Sequence, residues 1–142
     1  MLSKTIIYED FAGNKVTETL QFNLTKTEAL EIAYSLPQDV KDSVGADPNA
    51  IDEETAVKLI GELGDANIFA FIKEIVGKAY GVKSEDNKHF KKTPEMRADF
   101  EQSAAYDAII MELMTSDEEA ASNFINAVLP AGLPNSLPAN NK

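Results

Sequence analysis

The residues best suited to chemistry lie together in one short segment, GVKSEDNKHFKKT, at positions 81–93. It holds His89, the only histidine, and four of the thirteen Lys and Arg residues. An imidazole with an ordinary pKa of about 6.5 can act as a general base. A Lys-rich loop with an aromatic neighbour can hold phosphate or a nucleic-acid strand. The segment is therefore a catalytic site, an anion-binding site, or only a charged connector between two helices.

Catalysis at His89 finds little support elsewhere in the chain. There is no cysteine, and no serine lies in the G-x-S-x-G pattern of a nucleophile elbow. The glycines at 61 and 64 do not lead into the GKS or GKT of a phosphate-binding loop. We therefore expect a surface histidine, no catalytic residue, no cofactor and no enzymatic activity.

The charge balance argues against a nucleic-acid partner. The formal net charge is −11 at pH 7, which repels a polyanion. Positions 81–97 carry five basic and three acidic residues, a net of +2, whereas 98–130 carry seven acidic residues and no Lys or Arg. We expect the basic segment to balance an acidic surface, and a protein contact through Lys88, Lys91 and Lys92 stays open.

No metal site is expected either. Asp86-Asn87-Lys88 faintly resembles the start of a calcium loop, but the alternating ligands and the closing bidentate Glu are missing. The acidic clusters at 52–54 and 117–119 stand where helices should begin, and acids there favour the positive end of the helix dipole.

Length and composition indicate a soluble, single-domain intracellular protein. The chain has 142 residues, of which 44% are hydrophobic, enough for one packed core. No apolar run approaches the roughly 20 residues that span a bilayer, and MLSKTIIYEDF does not read as a signal peptide. The lack of cysteine fits a reducing cytoplasm.

The N-terminus predicts a β-hairpin over residues 1–24. KTIIYED is rich in β-branched and aromatic residues, and Gly13-Asn14 can form a turn. VTETLQFNL then alternates with period two, which places Val16, Leu20, Phe22 and Leu24 on one face.

The rest, 25–130, predicts about five helices. The start signals are a Thr25–Glu28 capping box, Asp52, Asp65, Thr93-Pro94, and a second capping box at Ser116–Glu119. Ser103 either restarts a helix or lies within one. The expected stops are Pro37, Gly64, Gly81 and Pro130, and 38–51 is expected to be a loop.

Together these signals predict an α+β fold: an N-terminal β-hairpin, then a mainly helical part, in a single globular domain at 1–130. The remaining segment, 131–142, repeats Leu-Pro and predicts a flexible, extended tail.

The apolar side chains near the C-terminus allow two interpretations. One stripe of the last helix continues into the Leu-Pro segment, giving Phe124, Ile125, Val128, Leu129, Leu133 and Leu137. The helical part is most simply core. The whole set could instead dock a partner protein.

Each half of the chain carries a set of residues with a recognisable order and spacing. The first half carries Tyr8, Asp10, Phe11, Gly13, Asn14, Phe22, Leu24, Thr25, Lys26 and Glu28. The second half carries Tyr80, Gly81, Lys83, Ser84, Phe90, Lys92, Phe100, Ser103, Ala105, Tyr106, Met111, Glu112, Leu113, Phe124, Ile125, Asn126 and Pro130. In the order and spacing of these residues, the chain resembles tail assembly chaperones of long-tailed bacteriophages and prophages. The resemblance is weakest over 38–64.

The resemblance implies a non-enzymatic protein of the bacterial host cytoplasm that is absent from the mature virion. It implies binding to the aggregation-prone tape-measure protein and help in recruiting tail-tube protein. It also implies a possible longer form made by ribosomal frameshifting. A homo-oligomer is conceivable, and neither nucleic acid nor membrane is an expected partner. Two alternatives stay open: a structural tail or head-tail adaptor component retained in the virion, and an acidic regulatory binding protein.

Overall fold

The computed structural model describes residues 1–43, 50–66, 68–117 and 119–130. Within these residues, the chain forms β1 (Leu2–Glu9), β2 (Lys15–Phe22), α1 (Lys26–Ser35), α2 (Gln38–Ser43), α3 (Glu53–Asp65), α4 (Phe69–Ala79), β3 (Tyr80–Lys83), β4 (Phe90–Lys91), α5 (Pro94–Glu101), α6 (Ala104–Thr115) and α7 (Ala120–Val128). The α+β class and the N-terminal hairpin are confirmed. No helix in these ranges is both long enough and apolar enough to cross a bilayer. The domain limits remain a prediction, and the tail predicted at 131–142 lies outside the described residues.

The four strands form an antiparallel sheet in the order β1-β2-β3-β4. The turn between β1 and β2 closes on Asp10, whose Oδ1 accepts hydrogen bonds from the Ala12 and Asn14 amides at 2.9 Å. Gly13 has a φ of 87°, which glycine adopts without the steric cost that other residues carry. The alternation in β2 holds, since Leu20 and Phe22 are buried.

Segment 81–93 has more structure than a connector. It completes β3, makes a turn and forms β4, so it is a second hairpin between α4 and α5. Gly81, expected just beyond a helix end, lies inside β3 and is buried. Its polar sequence hid this hairpin, because each strand is short and few of its residues are apolar.

Several predicted helix starts are confirmed by their hydrogen bonds. The Thr25 amide donates to Glu28 Oε1 at 2.9 Å, and the Glu28 amide donates to Thr25 Oγ1 at 3.1 Å. Thr93 and Ser103 accept from amides three residues later, at 3.1 Å each. Asp52 accepts from the Thr55 amide at 2.8 Å. Ser103 therefore begins a separate helix, α6.

Other predicted helix boundaries are wrong. α4 begins at Phe69 with Ile68 as its N-cap, because α3 runs on through Gly64 to Asp65. α7 begins after Glu119, and the Ser116 hydroxyl instead donates to the Glu112 carbonyl at 2.6 Å, at the end of α6.

The loop predicted at 38–51 contains a short helix, α2, at its start. The Lys41 ammonium holds this helix by donating to the Tyr34 carbonyl at 2.9 Å. The turn predicted at 47–49 lies outside the described residues. With α2 and the break at Ser103, the described part of the chain has seven helices where the sequence predicted about five.

Phe22 lies at the centre of the main core and links the sheet to the C-terminal helices. Its ring centroid is 6.0 Å from that of Tyr80, 6.0 Å from that of Phe100 and 5.0 Å from that of Phe124, each edge to face. Tyr80 and Phe100 stack at 4.0 Å. Aromatic pairs in these geometries contribute stability beyond that of the apolar area they bury. One residue of β2 therefore holds β3, α5 and α7 together.

Candidate protein-binding surfaces

The apolar stripe of the last helix lies in the core. Phe124 is 4% exposed, and Ile125, Val128 and Leu129 are 3% exposed or less. The Leu24 amide donates to the Val128 carbonyl at 3.0 Å, which fixes the end of α7 beside the end of β2. These four residues meet a partner only if α7 leaves the core. Their binding role therefore stays a prediction. Leu133 and Leu137 lie outside the described residues.

The three candidate lysines separate into two kinds. Lys88 and Lys91 are exposed on the β3–β4 hairpin. Lys92 is mostly buried, and its ammonium donates to Glu28 Oε1 and Oε2 at 2.7 and 2.8 Å, and to the carbonyls of Asn23 at 2.7 Å and Lys78 at 2.8 Å. Burial lowers the pKa of Lys92, although Glu28 acts in the opposite direction. Lys92 is therefore a structural cation, and only the other two are placed to contact a partner.

The polar groups around His89 close a turn. Ser84 Oγ accepts from the His89 amide at 3.1 Å and lies 2.6 Å from Asp86 Oδ1, which also accepts from the Lys88 amide at 3.0 Å. The hydrogen bond from Ser84, followed by that from Lys88, lowers the pKa of Asp86. An open groove of about 870 Å³ borders the turn. Within the described ranges, no three His, Cys, Asp or Glu side chains are grouped to hold a metal ion.

Several large apolar side chains are exposed, and two places bring a pair of them close together in the sequence. Phe11, in the first hairpin turn, is 85% exposed, and Ile7 of β1 is 63% exposed. Ile68 and Phe69, where α4 begins, are 43% and 53% exposed. The sequence did hold a signal for Ile7, because in a strand that buries Ile6 the next residue points to the opposite face. Single exposed apolar residues are ordinary, so their surroundings decide what they do.

A groove of about 800 Å³ lies beside Ile7 and Phe11. Ile7, Tyr8 and Glu9 of β1 form one wall, and residues 101–104 and 106–108 form the other. A second groove, of about 570 Å³, lies beside the start of the same strand. Leu2–Thr5 line it on one side, and residues of α6, α7 and the turn between them line the other. Neither groove is predicted from the sequence, since both form only when α6 is placed against β1.

Tyr8, which lines the first groove, makes a short hydrogen bond to a residue of β2. Its hydroxyl donates to Glu18 Oε1 at 2.6 Å. This bond, with smaller contributions from burial and from the charges of Glu18 and Asp10, raises the pKa of Tyr8 to about 12. An ionised acceptor favours the neutral phenol, because the phenolate would face a like charge.

A family model described as phage tail assembly chaperone matches residues 1–141. Neither the curated proteins nor the solved structures include a significant match to the chain.

Proposed function

Because the chain belongs to the phage tail assembly chaperone family, we propose that it binds the tape-measure protein and keeps it soluble while the tail is built. In this proposal it also helps to recruit tail-tube subunits and leaves before the virion is complete. It acts without catalysis, in the cytoplasm of the bacterial host. The match of the family model over residues 1–141 is the observation that carries the proposal.

The hydrogen bonds made by the potentially reactive side chains support a non-enzymatic role. Ser84 and Asp86 close the β3–β4 turn, and Lys92 joins Glu28 to two backbone carbonyls. Each of these side chains is thus already engaged in holding the fold. A binding protein needs surface rather than a reactive group, and the exposed Phe11 and Ile7 supply apolar surface.

The net charge of −11 also suits a protein that holds an aggregation-prone client. A strongly charged surface keeps a complex in solution, since like charges repel one complex from another. The negative electrostatic potential of this surface also attracts client segments that are rich in Lys and Arg. Lys88 and Lys91 are exposed on the β3–β4 hairpin and form a small basic patch on an otherwise acidic protein. This patch is suited to contact an acidic surface, such as that of a second copy.

Co-expression with the tape-measure protein tests the proposal. We expect the tape-measure protein to appear in the soluble fraction and to co-purify with this chain. The matched control is the same culture without the chaperone gene. A tape-measure protein that precipitates equally in both cultures would contradict the proposal.

Mass spectrometry of purified virions separates a chaperone from a structural component. A departing chaperone is absent from virions although it is abundant in infected cells. Stoichiometric presence would support a tail or head-tail adaptor component instead. Mass spectrometry of the infected cells also shows whether a longer, frameshifted form exists, through peptides that continue past Lys142.

A further inference from the structure

β1 has one side without a neighbouring strand. Among the described residues it pairs only with β2, over all eight of its positions. No backbone hydrogen bond joins it to any other described segment. An antiparallel strand of this length extends about 27 Å. Its second row of amide and carbonyl groups is a template on which a further strand can pair.

The two grooves lie along this open edge. Ser3 and Lys4 point to opposite faces of the sheet, as do Ile7 and Tyr8, yet each pair lines a single groove. No residue of β2 lines either one. A cavity bordered by both faces of one strand and by neither face of its partner lies beside the strand's free edge.

α6 forms part of the far wall of both grooves. Ala104 and Ala108 line the groove at the end of β1, and Glu112 and Ser116 line the groove at its start. Residues four apart lie on one face of a helix, so a single face of α6 and the residue after it follow the edge. Lys4 and Glu112, which both line the groove at the start of β1, form an ion pair. The two grooves therefore follow one another along β1, which suits an extended chain that runs beside the strand.

The charge along the two grooves is one-sided. The described residues lining the two grooves include five carboxylates, Glu9, Glu101, Asp107, Glu112 and Asp117, and a single cation, Lys4. Lys4 is paired with Glu112, and Arg97 lies 3.1 Å from Glu101. Glu9 and Asp107 make no ion pair with any described residue and are exposed. Cations brought by a ligand would find free carboxylates here.

We infer that the open edge of β1 binds an extended segment of the client in which apolar residues alternate with Lys or Arg. The segment adds to the sheet beside β1. Ile7 and Glu9 lie on the same face of β1, so the Lys or Arg side chains of the segment lie over both: their aliphatic stems cover Ile7 and Phe11, and their charged ends face Glu9 and Asp107. The apolar side chains of the segment lie on the opposite face, which is the face of Tyr8. This inference rests on the proposed client binding and names the surface and the kind of segment.

A second copy of this chain fits the edge less well. Pairing β1 with β1 of another copy would bring the carboxylates of one α6 toward those of the other. Like charges placed together at an interface disfavour it. A basic client segment meets the same edge with complementary charge.

A synthetic peptide of four Lys-Val repeats tests the inference directly. We expect it to bind the full-length protein in fluorescence anisotropy, and a peptide of four Glu-Val repeats to bind at least about tenfold more weakly, a difference of roughly 1.4 kcal/mol. In hydrogen exchange, the Lys-Val peptide should slow exchange of β1 amides and leave β4 unchanged. Equal binding of the two peptides, or protection that excludes β1, would overturn the inference.

Backbone methylation separates strand pairing from simple charge attraction. Alternate amides of an added strand face β1, so methylating only the odd positions or only the even positions of the Lys-Val peptide should affect binding unequally. One series should bind about as tightly as the parent, and the other should lose most of its affinity. Equal loss or equal retention in both series would rule out pairing with β1.

Charge reversal tests the protein side. Glu9→Lys combined with Asp107→Lys should weaken binding of the Lys-Val peptide about tenfold, because each exposed ion pair contributes roughly 0.2–1 kcal/mol and each reversal adds repulsion. The matched control is Glu62→Lys with Glu85→Lys, which changes the net charge equally at exposed sites outside both grooves. Equal weakening by the two pairs would mean that net charge alone drives binding.

Two further results bear on the occupant. In the first, the β1 amides of the free protein already exchange slowly. If dilution removes this protection, the edge is occupied by a second copy; if truncation after Pro130 removes it, the edge is occupied by residues 131–142. Either result would overturn the inference. If the tape-measure protein stays soluble equally well with the Glu9→Lys, Asp107→Lys variant, the inference fails and the proposed function stands. If wild-type protein binds the peptide at β1 but does not hold the tape-measure protein, the proposed function fails and the surface stands.

Discussion

The Lys92 ammonium lies 2.7 Å from Glu28 Oε1, across 64 positions of sequence, and the same nitrogen donates to two backbone carbonyls. Glu28 also accepts the Thr25 amide in the capping box of α1. One partly buried contact therefore joins the start of α1 to the segment that enters α5. Both residues belong to the set that carries the family resemblance, so that set includes a pair that holds the fold together.

Replacing Lys92 with Met should destabilise the fold by about 2 kcal/mol, because Glu28 and two carbonyls lose a shared donor in a mostly buried place. The pair retains some solvent contact, with 19% and 21% side-chain exposure, so we expect less than a fully buried pair would lose. Urea denaturation measures the change. Lys88→Met and Lys91→Met are the controls and should each stay within about 0.5 kcal/mol of wild type.

Replacing Phe124 with Ala should cost about 3–5 kcal/mol, the usual range for deleting a buried aromatic ring. Its ring packs edge to face on Phe22 at 5.0 Å. Thermal unfolding followed by circular dichroism shows the loss, and Phe124→Asp should prevent folding. A Phe124→Asp protein that folds normally but binds client poorly would instead show that the stripe is a docking surface.

Two glycines should respond oppositely to alanine. A Cβ on Gly81 would lie 2.6 Å from the Phe90 ring and 2.8 Å from the Lys91 carbonyl oxygen, whereas one on Gly61, inside α3, would meet nothing within 4 Å. Gly81→Ala should therefore destabilise by about 1–3 kcal/mol, and Gly61→Ala should stabilise by about 0.5–1 kcal/mol. Denaturation midpoints measure both. A harmless Gly81→Ala would mean that β3 and β4 do not approach this closely.

Tyr8 should ionise at a pH near 12, above the ordinary phenol value of 10.0, because its proton is held by Glu18. A raised pKa stabilises the protonated folded state, so this contribution is complete below pH 10 and is lost as the pH rises from 10 to about 12. Ultraviolet absorbance of the phenolate follows the titration, with Tyr8→Phe identifying the signal. Glu18→Gln should move the transition back toward pH 10, and an unchanged titration would exclude Glu18 as its cause.

Phe11→Ser should leave the free energy of unfolding within about 0.5 kcal/mol of wild type, because the side chain is 85% exposed. Under the proposed β1 site it should nevertheless lower the amount of tape-measure protein that stays soluble on co-expression. Phe69→Ser is the matched control, an exposed aromatic outside both grooves. If the two substitutions lower the amount of soluble tape-measure protein equally, the client does not bind specifically at the β1 edge.

The sequence was most informative where neighbouring residues determine the structure. The Thr25–Glu28 capping box, the Thr93 and Ser103 helix starts and the alternation of Leu20 and Phe22 all act within a few positions, and each is confirmed. The predicted start at Ser116 failed because the end of the preceding helix used the same hydroxyl. A capping pattern indicates that a side chain is able to form a hydrogen bond. The neighbouring backbone decides which group becomes its partner.

By itself, then, the sequence determined the α+β class, the hairpin and most helix starts, since these depend on contacts close along the chain. It also carried the family resemblance that the family model confirms. Only the tertiary structure decided which polar residues are free and which are occupied. Lys92 is bonded to Glu28, while Glu9 and Asp107 remain open beside β1. The physical reason is distance: packing α6 along the edge of β1 juxtaposes groups about a hundred positions apart, and no local pattern encodes that approach.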